Sequence, residues 1–135
     1  MRRSELLIMA CALLAPWGAS AEPLGPVETA VKYLQATKAK RCDEVWSLYS
    51  AGTQENLRAA GADKACPEMH ADIKRGSPRL VREQGDEAVV EVAFRGRAST
   101  SRNDIGTMRE WKQEVNLVRE QNAWKVDLQR LKVGP

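Results

Sequence analysis

Two patterns of hydrophobic residues divide the chain into a helical first half and a β-sheet second half. In the first half, apolar residues recur every three or four positions, at Val27, Ala30, Val31 and Leu34. This spacing places them on one face of a helix. After Pro78 the period falls to two, which is the spacing of strands with one buried face. The pattern therefore predicts helices followed by an antiparallel sheet.

The first half predicts three helices and one further helical turn. The first helix covers Pro26–Lys40, because proline is tolerated at the start of a helix and a basic end suits the negative pole of the helix dipole. We expect Asp43 to cap the second helix and Thr53 to cap the third, which Gly61 ends. Pro67 is expected to open a short fourth helix or turn.

The second half predicts four strands. Arg79–Gln84 forms the first, and Gly85-Asp86 is its turn. The second strand alternates from Ala88 to Phe94. The polar stretch Arg95–Gly106, "RGRASTSRNDIG", is rich in turn-forming residues and predicts a long loop.

The last two strands form a hairpin that begins at Trp111 and turns at Gln121-Asn122. The residues expected to face the core are Ala88, Val90, Val92, Phe94, Trp111, Gln113, Val115, Leu117, Trp124, Val126 and Leu128. Those of the hairpin expected to face water are Lys112, Glu114, Asn116, Lys125, Asp127 and Gln129. The fold class is therefore α+β, with N-terminal helices packed on one face of a bent four-stranded antiparallel sheet.

The first 21 residues have the pattern of a bacterial secretory signal peptide. Arg2 and Arg3 precede the apolar run Leu6–Leu14, and Ala19-Ser20-Ala21 supplies the small residues that a signal peptidase reads. Cleavage after Ala21 would leave residues 22–135 as a single domain in the periplasm or outside the cell.

A lipoprotein is the alternative to an exported free protein. The segment "LIMAC", which ends at Cys11, weakly resembles the lipid-attachment sequence of bacterial lipoproteins. Few apolar residues precede Cys11, however, and the apolar run continues beyond it. These features favour cleavage at Ala21.

Charge and hydropathy exclude two classes of partner. The formal net charge is +3 at pH 7, and the basic residues are scattered along the chain. So mild a charge does not predict nucleic-acid binding. No second apolar run has membrane length, so stable membrane insertion is not predicted either.

Two cysteines remain after the predicted cleavage, Cys42 and Cys66. An even pair in an exported chain predicts a disulfide. The bond would close a loop of 25 residues (66 − 42 + 1) and contribute about 3 kcal/mol of stability. The alternative is a metal site formed by Cys66 with Glu68, His70 and Asp72. One histidine and one cysteine make an incomplete zinc set, so we predict no metal and no cofactor.

Three segments resemble the nuclear transport factor 2-like superfamily. They are "VETAVKYLQATKAKRCDEVWSLYS", "TQENLRAAG" and "EVNLVREQNAWKVDL". The sequence is most similar to small exported bacterial members of unknown function, of the lumazine-binding-like kind. The resemblance covers 27–131 and implies a first helix packed across a bent sheet that forms a cone. The cystatin fold is the rival architecture, but its single long helix does not match several helices.

The resemblance also implies where chemistry would lie. Superfamily enzymes place an acidic base inside the cone, together with a tyrosine or a second acid. No inward position predicted above is acidic, and Glu91, Glu114 and Asp127 fall on the other face. We therefore assign no catalytic residue, and an enzyme is the minority hypothesis. Superfamily members often dimerise through the open sheet face, which here is polar and predicts at most a weak homodimer.

Two candidate binding features remain. The first is a pocket formed by Tyr33, Tyr49, Phe94 and Trp111, although such residues more often fill a core. The second is a basic rim that would receive an anionic ligand or an acidic partner surface. The alternative interpretation is that these arginines lie on a solvated loop without a binding role. The rim residues are Arg95, Arg97, Arg102 and Arg109.

These observations favour an exported, non-catalytic binding or accessory domain of the cell envelope that holds a small apolar ligand or docks a protein. Two alternatives stay open. The first is a protein-interaction or immunity-type protein with no ligand, and the second is a small-molecule isomerase or lyase that uses the cone.

Overall fold

The computed structural model describes residues 23–97 and 108–128. The predicted signal peptide, Cys11, Arg102 and Gln129 lie outside the described residues. In the described part, the helices are α1 (Pro26–Lys38), α2 (Cys42–Leu48) and α3 (Ala51–Ala59). The strands are β1 (Asp72–Ile73), β2 (Arg79–Gln84), β3 (Glu87–Arg97), β4 (Met108–Glu120) and β5 (Ala123–Val126). No helix among these is long and apolar enough to cross a membrane.

The fold is α+β, as predicted, and its sheet is antiparallel and curls into a half-barrel. The order of the strands is β1-β3-β4-β5, and β2 pairs with the same side of β3 as β1. The two long strands pair from Glu87↔Val118 to Arg97↔Met108. Each of the other strands pairs with one of these two, since β1 and β2 pair with β3 and β5 pairs with β4.

Both faces of the sheet can be read from this register, because directly opposed residues point to the same side. We call the inner face the one that carries Val90, Val92 and Phe94, which pair with Val115, Gln113 and Trp111. This face and the helices form one hydrophobic core, in which Val90, Val92 and Val126 are fully buried. The inward pattern is confirmed for Ala88, Val90, Val92, Phe94, Val115, Leu117, Trp124 and Val126.

Trp111 and Gln113 lie on the inner face, as predicted, but both are exposed. One predicted orientation is wrong. Asp127 was expected in water but is only 6 % exposed. Because β5 ends at Val126, the strand alternation no longer applies at the next residue. Val89 is also buried, although it lies on the outer face.

The helix ends differ from the prediction at three places. Helix α1 ends at Lys38, and Lys40 has a positive φ of 58° that no α-helix continues. Helix α2 begins at Cys42 with Arg41 at the capping position, so Asp43 lies inside its first turn. There its carboxylate still faces the positive end of the helix dipole.

Ser50, and not Thr53, caps α3. The Ser50 hydroxyl accepts a hydrogen bond of 3.1 Å from the backbone N–H of Thr53 and donates one of 2.9 Å to the Thr53 hydroxyl. Thr53 is therefore the third helical residue, and its side chain is buried. Serine and threonine are both good caps, so the sequence alone did not separate them.

We expect Ser50→Ala to lower the free energy of unfolding by about 1 kcal/mol, because the buried N–H of Thr53 loses its acceptor. Urea unfolding measures the change. Ser47→Ala is the matched control, since the exposed Ser47 hydroxyl only donates to the Glu44 carbonyl. Equal losses in the two variants would contradict the capping role.

The fourth helical turn predicted at Pro67 is wrong. The segment is extended and ends in β1, whose Asp72 and Ile73 pair with Arg95 and Phe94. The sheet therefore has five strands and not four. This pairing depends on close packing, since a side-chain carbon at Gly96 would lie 3.2 Å from the Cα of Ala71.

The predicted long loop is also shorter than expected. Strand β3 continues through Arg95 to Arg97, and β4 begins at Met108 rather than at Trp111. Residues 98–107 lie outside the described part. The closing hairpin is confirmed, and positive φ values at Gln121 and Asn122 give the turn that matches the twist of two strands.

Candidate functional site: an apolar cavity between α1 and β4

A cavity of about 170 Å³ lies between α1 and the inner face of the sheet, beside the point where β5 ends. Its apolar walls come from Leu34 on α1, Met69 on the extended segment, Val115 on β4, and Val126 and Leu128. The other lining residues are Tyr33, Thr37, Pro67, Glu68, Gln113, Glu114, Asn116 and Asp127. The cavity is thus mainly apolar, with polar groups at its margin.

The unequal lengths of β4 and β5 place the cavity here. Strand β5 pairs only with Leu117–Glu120 of β4. Next to that pairing, Val115 still belongs to the inner face and pairs with Val90 on β3, but in the described part no strand lies beside it on the β5 side. Helix α1 and Met69 cover the space from the other side.

Tyr33 is the tyrosine that reaches the cavity. Its hydroxyl lies 3.4 Å from the hydroxyl of Tyr49, and the two rings are 5.6 Å apart. Both side chains are buried in the core, but Tyr49 lies behind Tyr33 and is not among the described lining residues. The two tyrosines thus lie together in the core, and one of them lines the cavity.

Both tyrosine hydroxyls are neutral near pH 7. Burial raises the pKa of Tyr33 far above its ordinary value, and the hydrogen bond with the neighbouring Tyr49 raises it further. Burial also raises the pKa of Tyr49. A neutral phenol donates or accepts a hydrogen bond but does not exchange a proton in this pH range. The nearby hydroxyl of Thr37 is occupied, since it donates to the backbone oxygen of Tyr33 at 2.8 Å.

Phe94 and Trp111 form a second, separate pair. Their rings stack with centroids 5.9 Å apart. Phe94 is part of the core, whereas Trp111 is 38 % exposed and lines a shallow depression with Met69 and His70. The structure therefore places the four aromatic candidates in two pairs, of which only Tyr33 reaches the apolar cavity.

The candidate basic rim is divided between the two faces of the sheet. Arg95 and Arg97 lie on the outer face, opposite Glu110 and Met108. Arg109 is opposite Gly96 and therefore lies on the inner face. The three arginines in the described part thus do not form one surface, and Arg102 lies outside it.

A buried polar network, which the sequence pattern did not indicate, lies behind the cavity. The hydroxyl of Thr53 is 3.4 Å from Asp127 Oδ1 and accepts a hydrogen bond of 3.0 Å from the N–H of Leu128. Ser50, Thr53 and Asp127 are all buried. The network joins the start of α3 to the chain just after β5, which fixes one wall of the cavity.

The acids of the predicted outer face and of the cavity margin have different surroundings. Glu91 forms ion pairs, at 3.1 Å from Arg79 and 3.9 Å from Lys112. Glu68 and Glu114 are exposed at the margin of the cavity. Exposed pairs of this kind contribute little to stability.

The predicted disulfide between Cys42 and Cys66 is confirmed, with its Cα atoms 5.3 Å apart. It ties the start of α2 to the extended segment that carries Met69. Two other residues of the alternative metal set, His70 and Glu68, lie 3.7 Å apart, whereas Asp72 forms an ion pair with Lys38. No group of three metal-binding side chains is found in residues 23–97 and 108–128.

No protein-family model matches this sequence, and no curated protein matches it closely enough to indicate a relationship. The resemblance to the nuclear transport factor 2-like superfamily therefore stays a prediction. Function has to be argued from the cavity and its surroundings.

Proposed function

We propose that this protein is an exported, non-catalytic binding domain of the bacterial cell envelope, and that its α1–β4 cavity binds a small, neutral, mainly apolar molecule. One observation carries this proposal, namely the mainly apolar cavity of about 170 Å³, with the side chain of Tyr33 among its lining residues. An apolar protein cavity of about 150 Å³ is large enough for benzene. A ligand of one ring, or a short branched chain, matches this volume.

The polar groups around the cavity favour binding over catalysis. Tyr33 is held neutral and is already paired with Tyr49. Asp127 is buried against Thr53, and the exposed Glu68 and Glu114 lie at the margin. A general base needs a proton-accepting group aimed at the substrate and able to exchange a proton near the working pH. Tyr33 does not meet this requirement, because its neutral hydroxyl is directed at Tyr49.

Two further features support the wider proposal. A curled antiparallel sheet with a helix packed across it agrees with a nuclear transport factor 2-like cone. A disulfide agrees with an oxidising compartment such as the periplasm or the extracellular medium. We propose both assignments on these grounds, together with the N-terminal signal pattern.

Titration of the ¹⁵N-labelled protein with toluene and with indole tests the proposal. We expect chemical-shift changes to cluster at Leu34, Met69, Val115 and Leu128, because these residues line the cavity. Titration with a charged aromatic molecule, benzoate, is expected to produce much smaller changes, since the buried site would have to desolvate its carboxylate. The absence of clustered shifts with either neutral probe would contradict the proposal.

Val115→Phe is expected to fill the cavity and abolish the toluene-induced shifts, with a loss of stability below about 1 kcal/mol. The control is Val92→Phe on the same inner face, since Val92 is fully buried and does not line the cavity. Overpacking there is expected to cost about 1–3 kcal/mol or more. Urea unfolding compares the two variants. Equal destabilisation would show that no usable space exists beside Val115.

A further inference from the structure

In the part of the chain that the structure describes, strand β4 is paired along most of its length on one side only. From Met108 to Val118 it pairs with β3, whereas β5 covers only Leu117–Glu120 on the other side. No strand within residues 23–97 and 108–128 pairs with Met108–Val115 on that second side. An open strand edge of this length is a template for another strand.

The hydrogen bonds show which residues present their backbone groups to this edge. The Asn116 oxygen accepts from the N–H of Asp127, on the β5 side, at 2.8 Å. The N–H of Arg119 donates to the Asp86 oxygen, on the β3 side, at 2.8 Å. The backbone N–H and C=O groups of successive residues point to alternate sides of a strand. Those of the even-numbered residues of β4 therefore point away from β3. We call Met108, Glu110, Lys112 and Glu114 the β4 edge.

The edge of β2 carries an irregularity that the β4 edge lacks. The register of β2 shifts between Leu80 and Arg82, which marks a bulge. A bulge on an edge strand opposes pairing with another chain. The register of β4 against β3 is regular from Met108 to Val118, and charges of both signs alternate along the β4 edge.

We propose that the β4 edge pairs antiparallel with the β4 edge of a second copy of this chain, with Trp111 of each copy at the two-fold axis. Glu110 then lies opposite Lys112 of the second copy, and Lys112 opposite its Glu110. Met108 and Glu114 form the outer pairs. The ladder uses the outward N–H and C=O groups of all four edge residues in each copy.

Charge selects this register over its neighbours. A two-fold axis at Lys112 would place the Lys112 residues of the two copies opposite each other and Glu110 of one copy opposite Glu114 of the other. Like charges directly opposed are unfavourable. An axis at Glu110 would place that glutamate opposite itself. An axis at Gln113 would bring Glu110 onto Asn116, whose backbone oxygen already bonds Asp127. An axis at Trp111 gives only opposite charges and leaves β5 in place.

The proposed contact also covers apolar side chains that the single chain exposes. Trp111 is 38 % and Met108 47 % exposed. Two tryptophans facing each other across a strand pair stabilise it. At present Glu110 lies 3.3 Å from Lys74 and Lys112 lies 3.9 Å from Glu91. The side chains of Lys74, Glu110 and Lys112 are exposed, so exchanging these ion pairs costs little. This interface uses the strand edge, and so differs from the sheet-face dimer expected from the superfamily. It is independent of the cavity ligand.

Cysteine cross-linking tests the register. In the proposed dimer the two Trp111 residues form a non-hydrogen-bonded pair with Cα atoms about 4.5 Å apart, within the range of a disulfide. Trp111→Cys should therefore give a covalent dimer under mild oxidation. Gln113→Cys is the matched control on the same face, since its Cα atoms would lie roughly 13 Å apart. No cross-link at Trp111→Cys, or equal cross-linking in both variants, would overturn the proposal.

A charge exchange tests the pairing in solution. Sedimentation equilibrium should show a reversible dimer of the natural protein. Glu110→Lys and Lys112→Glu should each raise its dissociation constant by about tenfold or more, through repulsion across the interface. The double variant should return to within about threefold of the natural value, because opposite charges face each other again. A monomer at every concentration, or no recovery in the double variant, would overturn the proposal. Thermal unfolding verifies that each variant is folded.

Discussion

Phe94→Ala is expected to lower the free energy of unfolding by about 3–5 kcal/mol, the usual cost of emptying a buried aromatic site. Phe94 is 2 % exposed, lies opposite Ile73 in β1 and stacks on Trp111 at 5.9 Å. Its loss would leave a void at the junction of three strands. Urea unfolding followed by far-ultraviolet circular dichroism measures the change.

The control for this variant is Leu80→Ala. Leu80 lies on β2 and is 41 % exposed, so its truncation should change stability by less than about 1 kcal/mol. A loss below about 1 kcal/mol for Phe94→Ala as well would contradict the packing described for the inner face.

Removing the disulfide is expected to have the second-largest effect. The bond between Cys42 and Cys66 spans a sequence separation of 24, and closing such a loop stabilises a folded chain by about 3 kcal/mol. The variant with both Cys42→Ala and Cys66→Ala should therefore unfold at a clearly lower urea concentration. For a domain of this size this is a large part of the total stability.

A reducing agent provides the control for that experiment. It should lower the stability of the natural protein to nearly that of the double variant and leave the double variant unchanged. If the reducing agent affected both proteins equally, or neither, the disulfide would not contribute as described.

The β half of the fold was predictable because its pattern is simple. Strand β2 lies at Arg79–Gln84 as predicted, and the turn at Gln121-Asn122 is confirmed. A period of two fixes the buried face, because a shift of the strand register by one residue would expose every apolar side chain of that face to water. The α+β class follows from the order of the two patterns.

The errors fall where tertiary contacts outweigh local signals. Pro67 indicated a helical turn, but the segment after it is held in an extended form by the pairing of β1 and by close packing of Ala71 on Gly96. The alternation of the last strand predicts that Asp127 faces water. Strand β5 ends one residue earlier, however, and the Thr53 hydroxyl donates a hydrogen bond to Asp127. Neither partner is close in sequence.

The candidate site was predictable only in its parts. The sequence indicates that Tyr33 and Tyr49 lie near the core, but it does not show that space remains beside Tyr33. That space depends on how far β5 extends along β4. The division of the basic rim depends on register, because Arg97 and Arg109 fall on opposite faces once Gly96 pairs with Arg109.

The apolar cavity is tested most directly by a crystal structure of the protein pressurised with xenon, which enters apolar cavities of this size. We expect one strong xenon site among Leu34, Met69 and Val115, and no such site in Val115→Phe. Ordered waters bonded to polar groups at that position, or a space closed by side chains, would contradict a cavity for a small apolar ligand.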